Sequence, residues 1–373
     1  MKIIIAPDSF KGSLTNLQAA QAMQEAVLAV FPEAKTVVLP ISDGGEGAAE
    51  VLSSALSGKM YRAKVHGPYG RIVDAGYFLS DDGLGIVELA QAAGLMLVQP
   101  QERSPISSST LGVGELMMDA LQAGAKSLCL TLGGSATNDG GAGIAKAMGI
   151  RLLDCKREEL PPTCEGIGRL SLIDVSRLDA RVSSVPIHIA CDVKNPLCGP
   201  YGASYIYGPQ KGASPEMIRE MDDILSRYAK LLCSASKKEN LALLPGSGAA
   251  GGAALPLLAF CNAKLCSGID FILDALQFDS HLSQAALLLT GEGKIDMQTS
   301  HGKAIDGLIR RAAKYGVPVA AFAGRLELGE NAYPKADVRF YEINPKGQPI
   351  EESIVQAYTN LRSACIRALE NFR

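Results

Sequence analysis

The stretch Leu130–Gly143 reads Leu-Thr-Leu-Gly-Gly-Ser-Ala-Thr-Asn-Asp-Gly-Gly-Ala-Gly. It restricts the fold more than any other part of the chain. The apolar run Ser127–Leu132 suits a buried strand. Glycines and short polar residues then suit a tight loop, and Ile144, Ala145 and Met148 recur at helical spacing. Such a loop can aim several backbone N–H groups at one point, and a helix start adds partial positive charge worth ~0.3–1 kcal/mol to an anion. Asn138 or Asp139 is the expected helix cap. Gly133, Gly134, Ser135, Thr137, Asn138 and Asp139 therefore form a candidate cradle for phosphate or carboxylate. A turn needed only for packing is the competing reading.

The same pattern recurs along the chain. Ile3–Ala6 is a continuous apolar run, as in a buried parallel strand, and it ends in Asp8-Ser9-Phe10-Lys11-Gly12-Ser13. Thr15 with Gln18 forms a capping box, and Ala19, Met23, Ala26, Val27 and Val30 mark the buried stripe of a helix that Pro32 ends. Lys35–Leu39 is a second strand, ending in Ser42-Asp43-Gly44-Gly45-Glu46-Gly47. Ligands of doubly wound sheets sit at the carboxyl ends of strands, where Asp8, Lys11, Asp43 and Glu46 are expected to converge; Asp43 reads equally as a plain N-cap. Val185–Ala190 is a strand leading to Cys191-Asp192. Pro209-Gln210-Lys211 follows, with a solvated loop as the bland reading of Lys211. Ala285–Thr290 is a strand ending in Gly291-Glu292-Gly293-Lys294-Ile295-Asp296. After it come a helix near 305–313, strands Val317–Phe322 and Val338–Ile343, and a last helix.

Between these ends the texture differs. Residues 60–66, 71–79 and 84–89 are expected to form an antiparallel meander. The architecture expected is α/β in two domains. A discontinuous, Rossmann-like parallel domain takes residues 1–60 and 272–373, and an inserted mixed-sheet domain takes 61–271.

Composition excludes several classes. The net charge is −3 over 373 residues, and Trp is absent, so there is no nucleic-acid footprint. Nine cysteines include no Cys-x-x-Cys pair, which argues against structural zinc and for a reducing compartment. The opening run is too short for a signal peptide, and no apolar stretch approaches the ~20 residues of a membrane span. A cytoplasmic protein is expected. Gly246-Ser247-Gly248-Ala249-Ala250-Gly251 matches a dinucleotide fingerprint superficially, but Pro245 interrupts the approach, and close packing or an anion contact is the preferred reading.

Glycine-bearing or acidic loops after the strands supply N–H groups, carboxylates and lysines (Lys11, Lys211, Lys294). Phosphoryl transfer needs these parts. There is no P-loop and no protein-kinase motif set.

These motifs resemble those of the bacterial type 1 glycerate kinases. The resemblance is carried by Ala6-Pro7-Asp8-Ser9-Phe10-Lys11-Gly12-Ser13-Leu14-Thr15, Asp43-Gly44-Gly45-Glu46-Gly47 and Gly133-Gly134-Ser135-Ala136-Thr137-Asn138-Asp139-Gly140-Gly141. It continues in Ala190-Cys191-Asp192 with Asn195-Pro196, Pro209-Gln210-Lys211-Gly212-Ala213, and Gly291-Glu292-Gly293 with Asp296, Gln298 and Thr299. The matches follow family order over nearly the whole chain. The resemblance implies a non-P-loop, two-domain kinase with a cleft between its domains, which phosphorylates D-glycerate from ATP with Mg²⁺. The implied product is 2-phosphoglycerate, with 3-phosphoglycerate as the alternative.

As roles within that reading, the 133–141 loop holds phosphate, with Ser9, Asp43, Glu46, Gln210 and Gly291 as further contacts. Lys11 or Lys211 neutralises equatorial charge or holds the glycerate carboxylate. Asp192 is the base, with Asp8 in reserve. Glu292 and Asp296 hold Mg²⁺, partly through water. Partners are small molecules, with neither nucleic acid nor membrane, and no oligomeric state is implied. A nicotinamide-dependent oxidoreductase and a non-catalytic carboxylate-binding protein are the rival classes.

Overall fold

The computed structural model describes residues 1–42, 47–296, 304–327, 333–334 and 336–372. The candidate contacts Asp43 and Glu46, and the motif residues Gln298 and Thr299, lie outside the described residues. The described strands are β1 (Lys2–Ile5), β2 (Lys35–Val38), β3 (Gly58–His66), β4 (Ile72–Ser80), β5 (Leu84–Glu88), β6 (Ser127–Thr131), β7 (Arg151–Leu153), β8 (Leu172–Asp174), β9 (Ile187–Ala190), β10 (Ala263–Cys266), β11 (Leu287–Asp296), β12 (Val319–Glu327) and β13 (Val338–Glu342). The chain divides into two units. One is Met1–Asp43 with Ile269–Arg373, and the other is Gly44–Gly268.

The first unit holds one sheet in the order β13-β12-β11-β1-β2, with every pair parallel. Numbered within the unit and read from the β2 edge, this is the doubly wound order 2-1-3-4-5, whose switch point lies between β1 and β11. Both faces are covered, so the strands are apolar throughout: Ile3, Ile4, Ile5, Leu288, Leu289 and Phe322 are fully buried. The helix Asn16–Val30 begins as its sequence dictates. Gln18 N–H donates to Thr15 Oγ1 at 3.2 Å, and Thr15 N–H donates to Gln18 Oε1 at 3.0 Å. Its Ala19, Met23, Ala26 and Val27 share a core with Leu361, Ala364 and Cys365 of the helix Ala357–Glu370.

Two strands outrun expectation. β11 continues past Thr290 to Asp296, and β12 passes Gly324 to Glu327. They keep pairing through Lys294 with Arg325 and Ile295 with Leu326, and fully buried Ile295 rewards the extension.

The second unit holds a six-stranded sheet in the order β10-β9-β6-β5-β4-β3. The β3–β5 meander is antiparallel, whereas β5, β6, β9 and β10 run parallel. The boundaries fall earlier than the expected 60 and 271. The helix Ala48–Ala55 rests on β4 and β5, and its Ala49 N–H donates to Glu88 Oε1 at 2.8 Å, so this segment belongs to the second unit. None of the described helices is long and apolar enough to cross a membrane.

The glycines at 246–251 follow no strand; the segment carries only the short 3₁₀ turns Leu241–Leu243 and Ala249–Gly251. A dinucleotide loop requires a strand entering it, so the oxidoreductase reading fails here. The glycines serve packing. Gly251 has φ +72°, and a Cβ there would lie 2.4 Å from Asn138 Cα and 2.4 Å from Thr137 O. Gly251→Ala combines left-handed strain with overpacking, together roughly 2 kcal/mol or more. Thermal melting should show the midpoint of the second unit lowered by several degrees; an unchanged curve would contradict the packing role.

Candidate active site

In the first unit, parallel pairing brings all strand ends to one edge. The chain leaving β1 stays beside β11, because Asp8 N–H donates to Gly291 O at 2.9 Å. Asp8 is 8 % exposed, and its Oδ1 accepts Ser9 N–H at 2.6 Å. A tight turn follows, with Ser13 N–H and Leu14 N–H both donating to Phe10 O, which leaves Lys11 exposed. Asp8, Ser9, Gly291 and Glu292 therefore meet at the switch point. Lys11 borders a cavity of about 550 Å³ within the same unit.

Two expectations need correction here. Gly291 is buried in the sheet, where a Cβ would lie 2.5 Å from Phe322 O, so packing alone accounts for its glycine. Glu292 and Asp296 stand four residues apart on β11, about 13 Å along an extended strand at ~3.3 Å per residue. Parallel side chains at that spacing do not share one Mg²⁺, whose ligand distances are ~2.1 Å. Asp296 instead faces Lys294 at 3.4 Å. The acidic residue beside Glu292, across the strands, is Asp8.

In the second unit the loop after β6 is shaped by Asp139, which is fully buried. Its Oδ2 accepts Thr110 N–H at 2.8 Å, Thr110 Oγ1–H at 2.8 Å and Gly143 N–H at 3.1 Å. Its Oδ1 accepts Gly141 N–H at 3.1 Å. Burial pushes the carboxyl upward, and these donors pull it back only in part. The N-cap of the helix Ala142–Ala147 is Gly141, with φ +76°, and not Asn138 or Asp139. The helix start thus faces the protein's own carboxylate, so the anion seat expected there is taken. Asn138 is also fully buried, and its Nδ2 donates to Ser204 Oγ at 3.0 Å.

The loop's outer part is different. Gly133 is half-buried and Gly134 exposed. Among the described residues nothing accepts the N–H groups of Gly133, Gly134 or Ser135. Beneath them lies Lys211, 2 % exposed. Its Nζ donates to Ser135 Oγ at 2.9 Å and to Thr137 O at 2.7 Å. Burial pulls this ammonium down to about 7, against the opposing influence of Asp139. The neighbouring Gln210 is exposed.

Asp192 follows β9, the strand beside β6, so it shares the carboxyl edge with that loop. It is exposed, and its Oδ1 accepts Gly268 N–H at 2.9 Å. Sequence reasoning passed over Glu88, 5 % exposed, at the same edge opposite Thr131; an acidic residue among the buried positions 84–89 was its signal. It also passed over Asn344, whose signal was Asn-Pro directly after a strand.

The chain matches the family model described as "Glycerate kinase family" over residues 3–372. It is 43% identical to a protein named glycerate kinase from Halalkalibacterium halodurans, covering 97% of this chain and 96% of that one. It is 42% identical to a protein named glycerate 2-kinase from Escherichia coli, covering 97% and 95% respectively. A crystal structure assigned as glycerate kinase 2 from Salmonella typhimurium superposes with a TM-score of 0.90 at 40% identity, covering 100% of this chain and 98% of that chain.

Lys211 gives a pH signature. Its folded pKa of about 7 lies below the 10.5 of the unfolded chain, so between these values the unfolded state holds a proton that the folded state has released. Stability must then rise with pH across that window and be flat, at full penalty, below it. Compared with Lys211→Met, the wild type should gain denaturant midpoint from pH 7 to pH 10 and show a constant difference from pH 5 to 6.5. Parallel profiles at all pH values would contradict the buried ammonium.

Proposed function

From a chain that belongs to the glycerate kinase family, we propose an enzyme that transfers the γ-phosphoryl group of ATP to the 2-hydroxyl of D-glycerate, in the cytoplasm. The observation that carries the phosphoryl-handling part is Lys211. A cation seated below a glycine loop, with a hydroxyl and a carbonyl as its hydrogen-bond partners among the described residues, suits an incoming anion.

The chemistry asks the protein for position and charge more than for covalent steps. Gly133, Gly134 and Ser135 donate to phosphoryl oxygens, and Lys211 neutralises charge spread over them. Asp192, held by Gly268 N–H yet exposed, accepts the proton of the attacking hydroxyl. Lys11 and Ser9 contact the anionic part of the nucleotide.

Asp8 and Glu292 suit Mg²⁺, as oxygen donors at the switch point. Mg²⁺ usually keeps several of its own waters, so two carboxylates suffice to hold it. When bound, Mg²⁺ neutralises developing charge on the β- and γ-phosphates.

The test is to incubate the protein with ATP, Mg²⁺ and D-glycerate and read the product by ³¹P NMR. A doublet, from the single proton on C2, is expected. A triplet would move the acceptor to the 3-hydroxyl, and no product would reject the activity. Asp192→Asn should lower kcat by roughly 10²–10⁴-fold, as loss of a general base does, with KM little changed; full turnover would remove Asp192 as the base.

A further inference from the structure

The first unit holds a cavity of about 550 Å³. It opens at the carboxyl edge of the sheet, where Phe10, Lys11, Gly293, Gly324, Arg325 and Ile343 line it, and the turn 344–348 and the helix Ile350–Val355 close one side. Its size falls within the ~300–1,000 Å³ of small-molecule sites. A three-carbon acid would leave most of it empty.

The walls divide by chemistry. Ile350 is 74% exposed and Ile354 45% exposed; they give the cavity an apolar, solvent-facing wall, with the buried Phe10 and Ala357 behind it. Lys11, Arg325 and Lys346 stand on the remainder together with Glu342, and Arg325 also pairs with Glu327 at 2.8 Å. An apolar face beside a mainly cationic one matches a ligand with an aromatic ring at one end and phosphates at the other. Glycines leave the floor bare: a Cβ on Gly324 would lie 2.7 Å from Gly293 O, and one on Gly293 would lie 3.3 Å from Lys11 N.

The turn is held in place before any ligand arrives. Asn344 Nδ2 donates to Gly324 O at 2.8 Å. Asn360, itself 8 % exposed, donates to Asn344 Oδ1 at 3.2 Å and to Gln348 Oε1 at 3.0 Å. Such a prefixed wall avoids an ordering cost on binding.

We propose that this cavity takes the purine and ribose of the nucleotide, stacked on Ile350 and Ile354, with Lys11 and Arg325 toward its phosphates. The assignment rests on the kinase reading and names the place where that reading's nucleotide binds.

The test uses the full-length protein and calorimetric titration of ADP with Mg²⁺. Ile354→Glu and Ile350→Glu change exposed side chains, so both variants should fold, as circular dichroism melting checks. Each is expected to weaken ADP at least tenfold and to raise KM for ATP, while KM for D-glycerate stays within twofold. Folded variants that bind ADP like the wild type overturn the cavity assignment, even if the wild type is a competent glycerate kinase. Conversely, ADP binding that both substitutions abolish supports the cavity, even if D-glycerate proves not to be the acceptor. A wild type that binds no ADP overturns both.

Discussion

Burial of the Lys211 ammonium under the loop that follows β6 is the constraint on which the second unit's chemistry rests. A charge removed from water costs several kcal/mol unless a counter-charge compensates it. The two groups in contact with it, Ser135 Oγ and Thr137 O, are neutral dipoles. Asp139 acts on it through its charge, but that carboxylate is committed to Thr110, Gly141 and Gly143. The protein therefore keeps a cation under strain at the place where an anionic group is to be received. Asp139 and Lys211 divide the labour: the carboxylate fixes the loop's shape, and the lysine supplies its charge.

Parallel strands make such a place possible in each unit. Strands that all point one way must deliver their loops to one edge, whatever their separation in sequence. In the first unit this brings Asp8 beside Gly291 across 283 positions of chain at the β1/β11 switch point. In the second it puts Asp192 on the strand next to the β6 loop. The glycines are part of the same logic. Gly251 lets one segment touch the backbone of Thr137 and Asn138, and Gly291 lets β11 run against Phe322. The chemistry-bearing side chains can be few because the backbone around them is fixed closely.

Much of this was legible in the chain itself. Buried strands announce themselves as short apolar runs, and Thr15 with Gln18 marks a helix start by local hydrogen bonding alone. Ser135 and Asp192 stood out because polar residues directly after apolar runs must lie at strand ends, whereas Lys211, which follows the helix Ala203–Tyr207, stood out only through the motif Pro209–Ala213. What stayed illegible depends on distant partners. Asp139 looks like a phosphate contact or a cap until Thr110 is seen to occupy it. Asp296 looks like a metal ligand until β11 is seen to run straight through Glu292. The extension of β11 follows from pairing with β12, and the 344–348 turn gains meaning only from Asn360. No local pattern encodes those contacts.

The most direct test is proton uptake on binding. An ATP analogue with methylene between its β- and γ-phosphorus is titrated with Mg²⁺ at pH 8, in two buffers of unlike ionisation enthalpy. With Lys211 held at about 7 in the free protein, arrival of phosphate should draw close to one proton from the buffer, and Lys211→Met should lose that uptake. Equal proton exchange by the wild type and Lys211→Met would contradict the claim that Lys211 is the phosphate's counter-charge.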